Sequence, residues 1–296
     1  MRRFFQQLKE GTEHLNYGRH IIADWGAELY ANSIARPFRI LDLGCGPGTD
    51  LDNIRIKAAE GAGSESRLQL EMHGLESWPP NIEKCNALGI QTWQADLERD
   101  RYPGADQSFD LIVANQVLEH TKEIFWIFNE ADRLLKPGGH FMIGVPNLAS
   151  FHNRILLMFG QQPTQIQSMS AHVRGFTKPD LRRFGETGDF FRLVAFRGSN
   201  FYPLPPFLSK PLARLLPTMA WGAFLLFERT TKQGEFLECL HGDEHFLETP
   251  FYGSPQNPAP KPRAGRTQKQ GRQKTAATQN SGPGRKKKSK LLKGRR

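Results

Sequence analysis

Three glycines at 44, 46 and 48, carboxylates at 42, 76 and 96, and imidazoles at 120 and 172 are the groups in this sequence whose types and spacing suit binding and proton transfer. The glycines follow the short apolar run Arg39-Ile40-Leu41-Asp42-Leu43, which reads as a buried parallel strand. Without a Cβ, such a turn lets a ligand approach the backbone closely. A dinucleotide site would require G-x-G-x-x-G. Here the spacing is G-x-G-x-G, with Asp42 two residues before the first glycine. Glu76 falls at the tip of the next apolar segment, where an acid in a doubly wound fold hydrogen-bonds a ribose diol. His120 follows a strongly apolar segment, at the carboxyl edge where such sheets bind ligands. An unperturbed imidazole titrates near ~6.5, which suits it to accept a proton. His172 is a second, lesser candidate, and Arg174 beside it is read as a surface ion-pair partner.

These groups need a scaffold, and the sequence alternates strand and helix patterns to supply one. Residues 11–35 read as a helical lead-in that Arg36-Pro37 closes. After the glycine turn, Thr49 or Asp50 is expected to cap a helix to about Glu60. Leu68–Leu75 reads as the second strand, Asn81–Leu88 as a helix and Ile90–Trp93 as the third strand, with Asp96 just beyond. Phe109–Asn115 is the strongest strand signal. Thr121 is expected to cap an amphipathic helix through Leu135, Lys136–Gly139 to turn, and His140–Val145 to form the fifth strand. Asn153–Phe159 reads as a helix, and Thr177 caps another through Phe184. Phe190–Phe196 and Ala220–Phe227 close the sheet as an antiparallel pair. The apolar stretch Phe201–Leu208 between them is read as ordinary packing rather than as a pocket wall. The implied fold is α/β and Rossmann-like: a doubly wound, seven-stranded, mostly parallel sheet with its last strand antiparallel.

The ordered set Asp42/Gly44/Gly46/Gly48, Glu76, Asp96, the Phe109–Asn115 strand with its Leu118-Glu119-His120 edge, and the Leu135–Gly139 turn resembles class I S-adenosylmethionine (SAM)-dependent methyltransferases, in the subgroup acting on small molecules. The resemblance runs through residues 38–147 and implies SAM as cofactor. It implies that the glycine turn meets the methionine portion, Glu76 the ribose and Asp96 the adenine amino group, with the Leu97 N–H at the ring. Asp42, Cys45 and Asn115 are implied to belong to the same cofactor site. It also implies that the segment after the fifth strand covers the active site. The expected activity is methyl transfer to a small-molecule acceptor, lipid-, quinone- or sugar-like, at oxygen. His120 then takes the acceptor's proton.

The formal net charge of +10 is unevenly distributed. Residues 254–296 carry 14 of the 40 Lys/Arg and no acid, which leaves residues 1–253 with 26 basic against 30 acidic residues. The body is mildly acidic, unlike the usual surface of a nucleic-acid enzyme. The expected organisation is a helical lead-in at 1–36, the catalytic domain at 37–230, a poorly defined extension at 231–253 and a disordered basic tail at 254–296. Residues 261–296 could make weak contact with nucleic acid or an anionic surface, which keeps open an RNA- or ribosome-directed methyltransferase using the tail as a tether. A SAM-binding regulatory protein without turnover is the third reading. Cys45, Cys85 and Cys239 are too scattered for a zinc or disulfide framework, no metal-ligand spacing is evident, and the histidines are read singly. No signal peptide or membrane span is expected, and a reducing cytoplasm is the expected compartment.

Overall fold

The computed structural model describes residues 18–202, 204–241, 250–255 and 257–259. The expected disordered tail falls almost wholly outside these residues, apart from positions 254, 255 and 257–259, where Ser254 is buried and pairs with Asn257.

The seven-stranded sheet has the order β3-β2-β1-β4-β5-β7-β6. The strands are β1 Phe38–Leu43, β2 Leu70–Leu75, β3 Gln91–Trp93, β4 Phe109–Asn115, β5 Leu135–Pro146, β6 Phe191–Ser199 and β7 Gly222–Arg229. β1 pairs in parallel with β2 on one side and β4 on the other. β7 lies between β5 and β6 and runs antiparallel to both. This is the Rossmann-like, mostly parallel sheet that the alternating pattern implied.

The sheet is covered on both faces, which is why its central strands are apolar without alternation. Ile112 and Ala114 of β4 join Leu41, Leu43, Phe141 and Phe227 on one face. Leu111 and Val113 join Ile40, Met142 and Phe224 on the other. Helices α1 (Arg19–Asn32) and α2 (Thr49–Ala62) cover the second face through Ile22, Trp25, Leu51 and Ile54. They approach closely because a Cβ on Gly26 would stand 2.6 Å from Ile54. Helix α3 (Pro79–Ala87) adds Cys85 to that face, and α4 (Ile124–Leu134) covers the first. Phe128 of α4 is ringed by Phe141, Phe184, Phe191, Phe227 and Phe236, with centroids 4.9–6.3 Å away. Phe236 comes from the short turn Phe236–Leu240, in a stretch whose sequence pattern is weak, and it is fully buried.

Several boundaries differ from expectation for local reasons. α2 is preceded by Gly48, with no side-chain cap, so neither Thr49 nor Asp50 caps it. Thr121 does not cap α4: its hydroxyl donates to Leu118 O at 3.2 Å, closing a 3-10 turn over Leu118–His120, and α4 starts later, at Ile124. Lys136–Gly139 is a bulged start of β5, with a register shift between Phe109 and Leu111, and not a separate turn. Thr177 does cap α6 (Lys178–Gly185), accepting from the Asp180 N–H at 3.4 Å. Helix α5 spans Phe151–Met158, and α7, Pro206–Leu215, forms inside what reads as linker. No helix among the described residues is long and apolar enough to cross a membrane.

One ion pair ties the end of β7 to α4. Arg229 Nε donates to the Asp132 carboxylate at 2.8 Å and to Asp132 O at 2.7 Å, with both residues buried. Burial pushes the Asp132 carboxyl up to about 6, outweighing the guanidinium beside it. Arg229→Met should cost about 3–5 kcal/mol in denaturant unfolding, because it strands a buried carboxylate. An acid whose folded pKa is raised loses stability as pH rises through that value, and the variant raises it further. The deficit should therefore grow from about pH 5 to about pH 8. A loss independent of pH would show that removing Arg229 leaves the Asp132 pKa unchanged.

Candidate active site

β1 ends in a turn that only glycine makes cheaply. Gly44, Gly46 and Gly48 have φ of +63°, +54° and +84°, a region that costs other residues roughly 1–2 kcal/mol each. The Cys45 N–H donates to Leu75 O at 3.1 Å and the Gly48 N–H to Cys45 O at 3.0 Å, so the turn is fastened to the end of β2. A Cβ on Gly46 would meet nothing within 4 Å, whereas one on Gly48 would stand 2.6 Å from Ile90. Gly48 is therefore small for packing, and Gly46 faces open space.

Beside this turn, outside the carboxyl ends of β1–β3, lies a crevice of about 580 Å³. Gly44, Glu76, Gln94, Asp96, Leu97 and Thr121 contribute to its lining. The volume is within the range of small-molecule sites. Glu76 is held by its own loop: Oε1 accepts from the Ser77 and Trp78 N–H groups at 2.8 and 2.9 Å, and Oε2 accepts from Asn81 at 3.2 Å. A carboxylate has about four acceptor positions, so capacity remains for a hydroxyl donor. Asp96 is exposed; its Oδ1 accepts from the Glu98 N–H at 2.8 Å while its own N–H donates to Asp100 at 2.8 Å. These bonds hold the Asp96–Asp100 loop in shape at the crevice wall.

Other candidate residues sit behind the turn. Asp42 is 2% exposed. Burial, and then the negative charge of Asp50, push its carboxyl well above the usual range, against the pull of Arg19. Asp50 accepts from Asn115 Nδ2 at 2.9 Å and pairs with Arg19 Nε at 3.2 Å. Burial raises Asp50 too, opposed by those two partners. Asp42, Asp50, Asn115 and Arg19 thus form a polar cluster beside the glycine turn, with the two carboxyls buried and Asn115 and Arg19 half-buried. Cys45 points to α3, its Sγ 3.6 Å from that of Cys85, and both thiols lie near Gly46 O, at 3.8 and 3.2 Å. Burial raises both thiols. Scattered in sequence, these two cysteines meet in space.

The histidines also meet. Gln116, at φ +58°, turns the chain out of β4 into the Leu118–His120 turn. His120 and His172 lie edge to face, ring centroids 4.7 Å apart; reading them singly was wrong. The segment bearing His172 is sewn to the turn by main-chain bonds, Val173 N–H and Arg174 N–H to Glu119 O at 2.8 and 3.4 Å. Among the described residues Arg174 makes no surface ion pair of the expected kind: its guanidinium donates to Thr121 O at 3.1 Å and Lys122 O at 2.6 Å. Glu119 is 1% exposed, and among the described residues neither of its carboxylate oxygens has a hydrogen-bond partner. Burial pushes its carboxyl up to about 7. Sequence reasoning passed over Glu119, Asp50 and Arg19. Glu119 had one signal, an acid beside His120 at a strand's carboxyl edge; Arg19 had none, because its partner is 31 positions away.

The strand order and the crevice at its reversal define a Rossmann-like methyltransferase domain of class I. A methyltransferase-domain family model matches residues 14–190, more than half of the chain, and the chain belongs to that family. It is similar to an uncharacterized 37.1 kDa protein in transposon TN4556 of Streptomyces fradiae, 32% identical over 107 residues, 36% of this chain and 30% of that protein. It is also similar to a ubiquinone biosynthesis O-methyltransferase of Alkalilimnicola ehrlichii, 25% identical over 169 residues, 56% of this chain and 65% of that enzyme. The chain thus spans less than two thirds of the length of these relatives. Among solved structures it is similar to a SAM-dependent methyltransferase from Archaeoglobus fulgidus, with TM-score 0.49 and 13% identity, covering 74% of this chain and 97% of that one. The cofactor of the family is SAM, and the residues present fit it. Backbone bare of Cβ at Gly46 opens onto space, and two carboxylates flank a volume suited to a nucleoside.

Gly46→Ala should keep the fold and cost about 1–2 kcal/mol in denaturant unfolding, the strain of a left-handed alanine. Gly48→Ala should cost more, because Ile90 must also move. Equal losses would show that Ile90 yields freely.

Proposed function

We propose that this chain transfers the methyl group of SAM to an oxygen of a small-molecule acceptor, lipid-, quinone- or sugar-like. The observation that carries the reading is the shared crevice: Glu76 and Asp96 approach one volume from two loops, with Gly44 between β1 and both. In this reading Glu76 accepts from the ribose diol, Asp96 from the adenine amino group, and the Leu97 N–H meets the ring. Gly44 and Gly46 leave room for the methionine portion. Asp42, Cys45, Gly48 and Asn115 act from behind, holding the turn in its left-handed course.

When bound, SAM supplies an electrophilic methyl group on a sulfonium, so the chain's task is placement. Holding acceptor and methyl group in line can contribute ~7–11 kcal/mol of barrier reduction. An acceptor hydroxyl must lose a proton, and the His120–His172 pair is where that loss is handled, one residue from Thr121 on the crevice wall. An apolar acceptor is favoured by the exposed side chains after β5. Met158, Phe159 and Phe207 are all more than 70% exposed, and Phe151 of α5 lies 6.2 Å from Phe201, just before α7. In this reading these solvent-facing apolar groups supply the contact for such an acceptor. The ubiquinone biosynthesis O-methyltransferases among the relatives act in the same sense.

Calorimetric titration of the full chain with SAM should show one site. Gly46→Arg and Asp96→Ala should abolish binding, while His120→Ala should retain it and lose most turnover with a quinol acceptor. Wild-type affinity in the first two would overturn the crevice assignment, and full turnover in the third would remove His120 from the proton step.

A further inference from the structure

We propose that Glu119, His120 and His172 form a binding site for one divalent first-row transition-metal cation beside the cofactor crevice. One ligand atom of each residue lies within 4.8 Å of those of the other two. Three ligands about 2.1 Å from a shared ion stand about 3.4–3.6 Å from one another. Closing the set therefore brings ligand atoms together by up to about 1.4 Å, a movement that rotation of the exposed His120 and half-exposed His172 imidazoles can supply.

Three features of the surroundings are those of a ligand set. The first is Glu119, a carboxylate almost wholly removed from water whose two oxygens lack hydrogen-bond partners among the described residues. Such a group left without a partner is costly, and a cation would satisfy it. The second is the tautomer of the histidines. His120 Nδ1 faces Ala171 O at 3.2 Å and His172 Nδ1 faces Gln165 O at 2.7 Å. A carbonyl only accepts, so each Nδ1 carries the proton and each Nε2 keeps its lone pair. Carbonyls placed behind metal-bound imidazoles act in this way. The third is rigidity: Glu119 O anchors the Val173 and Arg174 N–H groups, which brings two sequence-distant ligand groups together by main-chain bonds.

Two imidazoles and one carboxylate leave open positions on the ion, the arrangement of a reactive rather than a purely structural site. The donor set favours zinc, manganese, iron or cobalt over calcium or magnesium. The inference deepens the methyl-transfer reading and rests on it for its purpose. An acceptor hydroxyl on the cation would ionise more readily. Its proton would pass to solvent, and the oxygen would keep the electron pair that bonds to the methyl carbon as the carbon–sulfur bond of the sulfonium breaks and leaves its electron pair on sulfur as a neutral thioether. His120 would then serve as a ligand, since a lone pair given to a cation cannot also take a proton.

The test is titration of the full, chelator-treated chain with Zn²⁺ and, separately, with Co²⁺ followed by visible absorption, each on wild type, Glu119→Gln and His172→Ala. The expected result is one tight equivalent in wild type, with each variant weakened by more than about 100-fold, beyond the loss typical of a residue that only supports a ligand. SAM titration of the same samples is the control for folding and for the cofactor reading, and it should be unchanged in both variants. A wild-type chain that binds SAM but retains no Zn²⁺ or Co²⁺ would overturn the metal site and leave the methyl-transfer reading standing. Metal binding unaffected by the two substitutions would overturn it as well. Loss of SAM binding in wild type would instead count against the crevice.

Discussion

Parallel pairing of β1 on both of its sides is the constraint from which the site follows. Because β2 and β4 flank β1 and both run with it, the loops that leave β1 and β4 turn to opposite faces of the sheet, and a gap opens at their carboxyl ends. The gap needs floor and walls. The glycine turn supplies the floor, fastened to β2 through the Cys45 N–H. The loops after β2 and β3 supply Glu76 and the Asp96–Asp100 loop as walls. The end of β4 twists through Gln116 into the turn that carries Glu119 and His120.

Electrostatics beneath the turn reinforce this geometry. Two carboxyls, Asp42 and Asp50, lie close together in the interior, and burial acts against ionisation of both. Arg19 and Asn115 offset the cost from two directions, α1 and β4. The helix before β1 is therefore coupled to the turn by charge as well as by the packing of Gly26 on Ile54.

Features that depend on neighbouring residues were legible in the sequence. The strands β4 and β5 show as near-continuous apolar runs, the turn as alternating glycines, and the antiparallel closure as two late strands. Thr177 was recognisable as a cap because capping is a local bond. What escaped depends on distance. Thr121 is a separate case: it has the right type for a cap, yet its hydroxyl bonds back to Leu118 O three residues earlier, a local alternative that residue type alone does not rank below capping. The helix α7 begins in a proline-rich stretch and contains Pro211, so local rules argued against it. The side chains that converge on Asp50, and the pairing of His120 with His172, join positions 31 to 65 residues apart. Nothing in residue type or spacing announces such meetings; the chain's topology creates them.

The contact between the Leu118–His120 turn and the segment around His172 runs chiefly through backbone. Glu119 O receives two N–H groups, while Ala171 O and Gln165 O orient the two rings. None of these partners depends on which side chain occupies positions 165, 171, 173 or 174. Substitution can therefore reshape the surface of the segment around His172, residue by residue, while the two rings keep their alignment. Under the proposed methyl transfer, such a frame would let acceptor preference diverge among descendants without each new preference requiring a new catalytic centre.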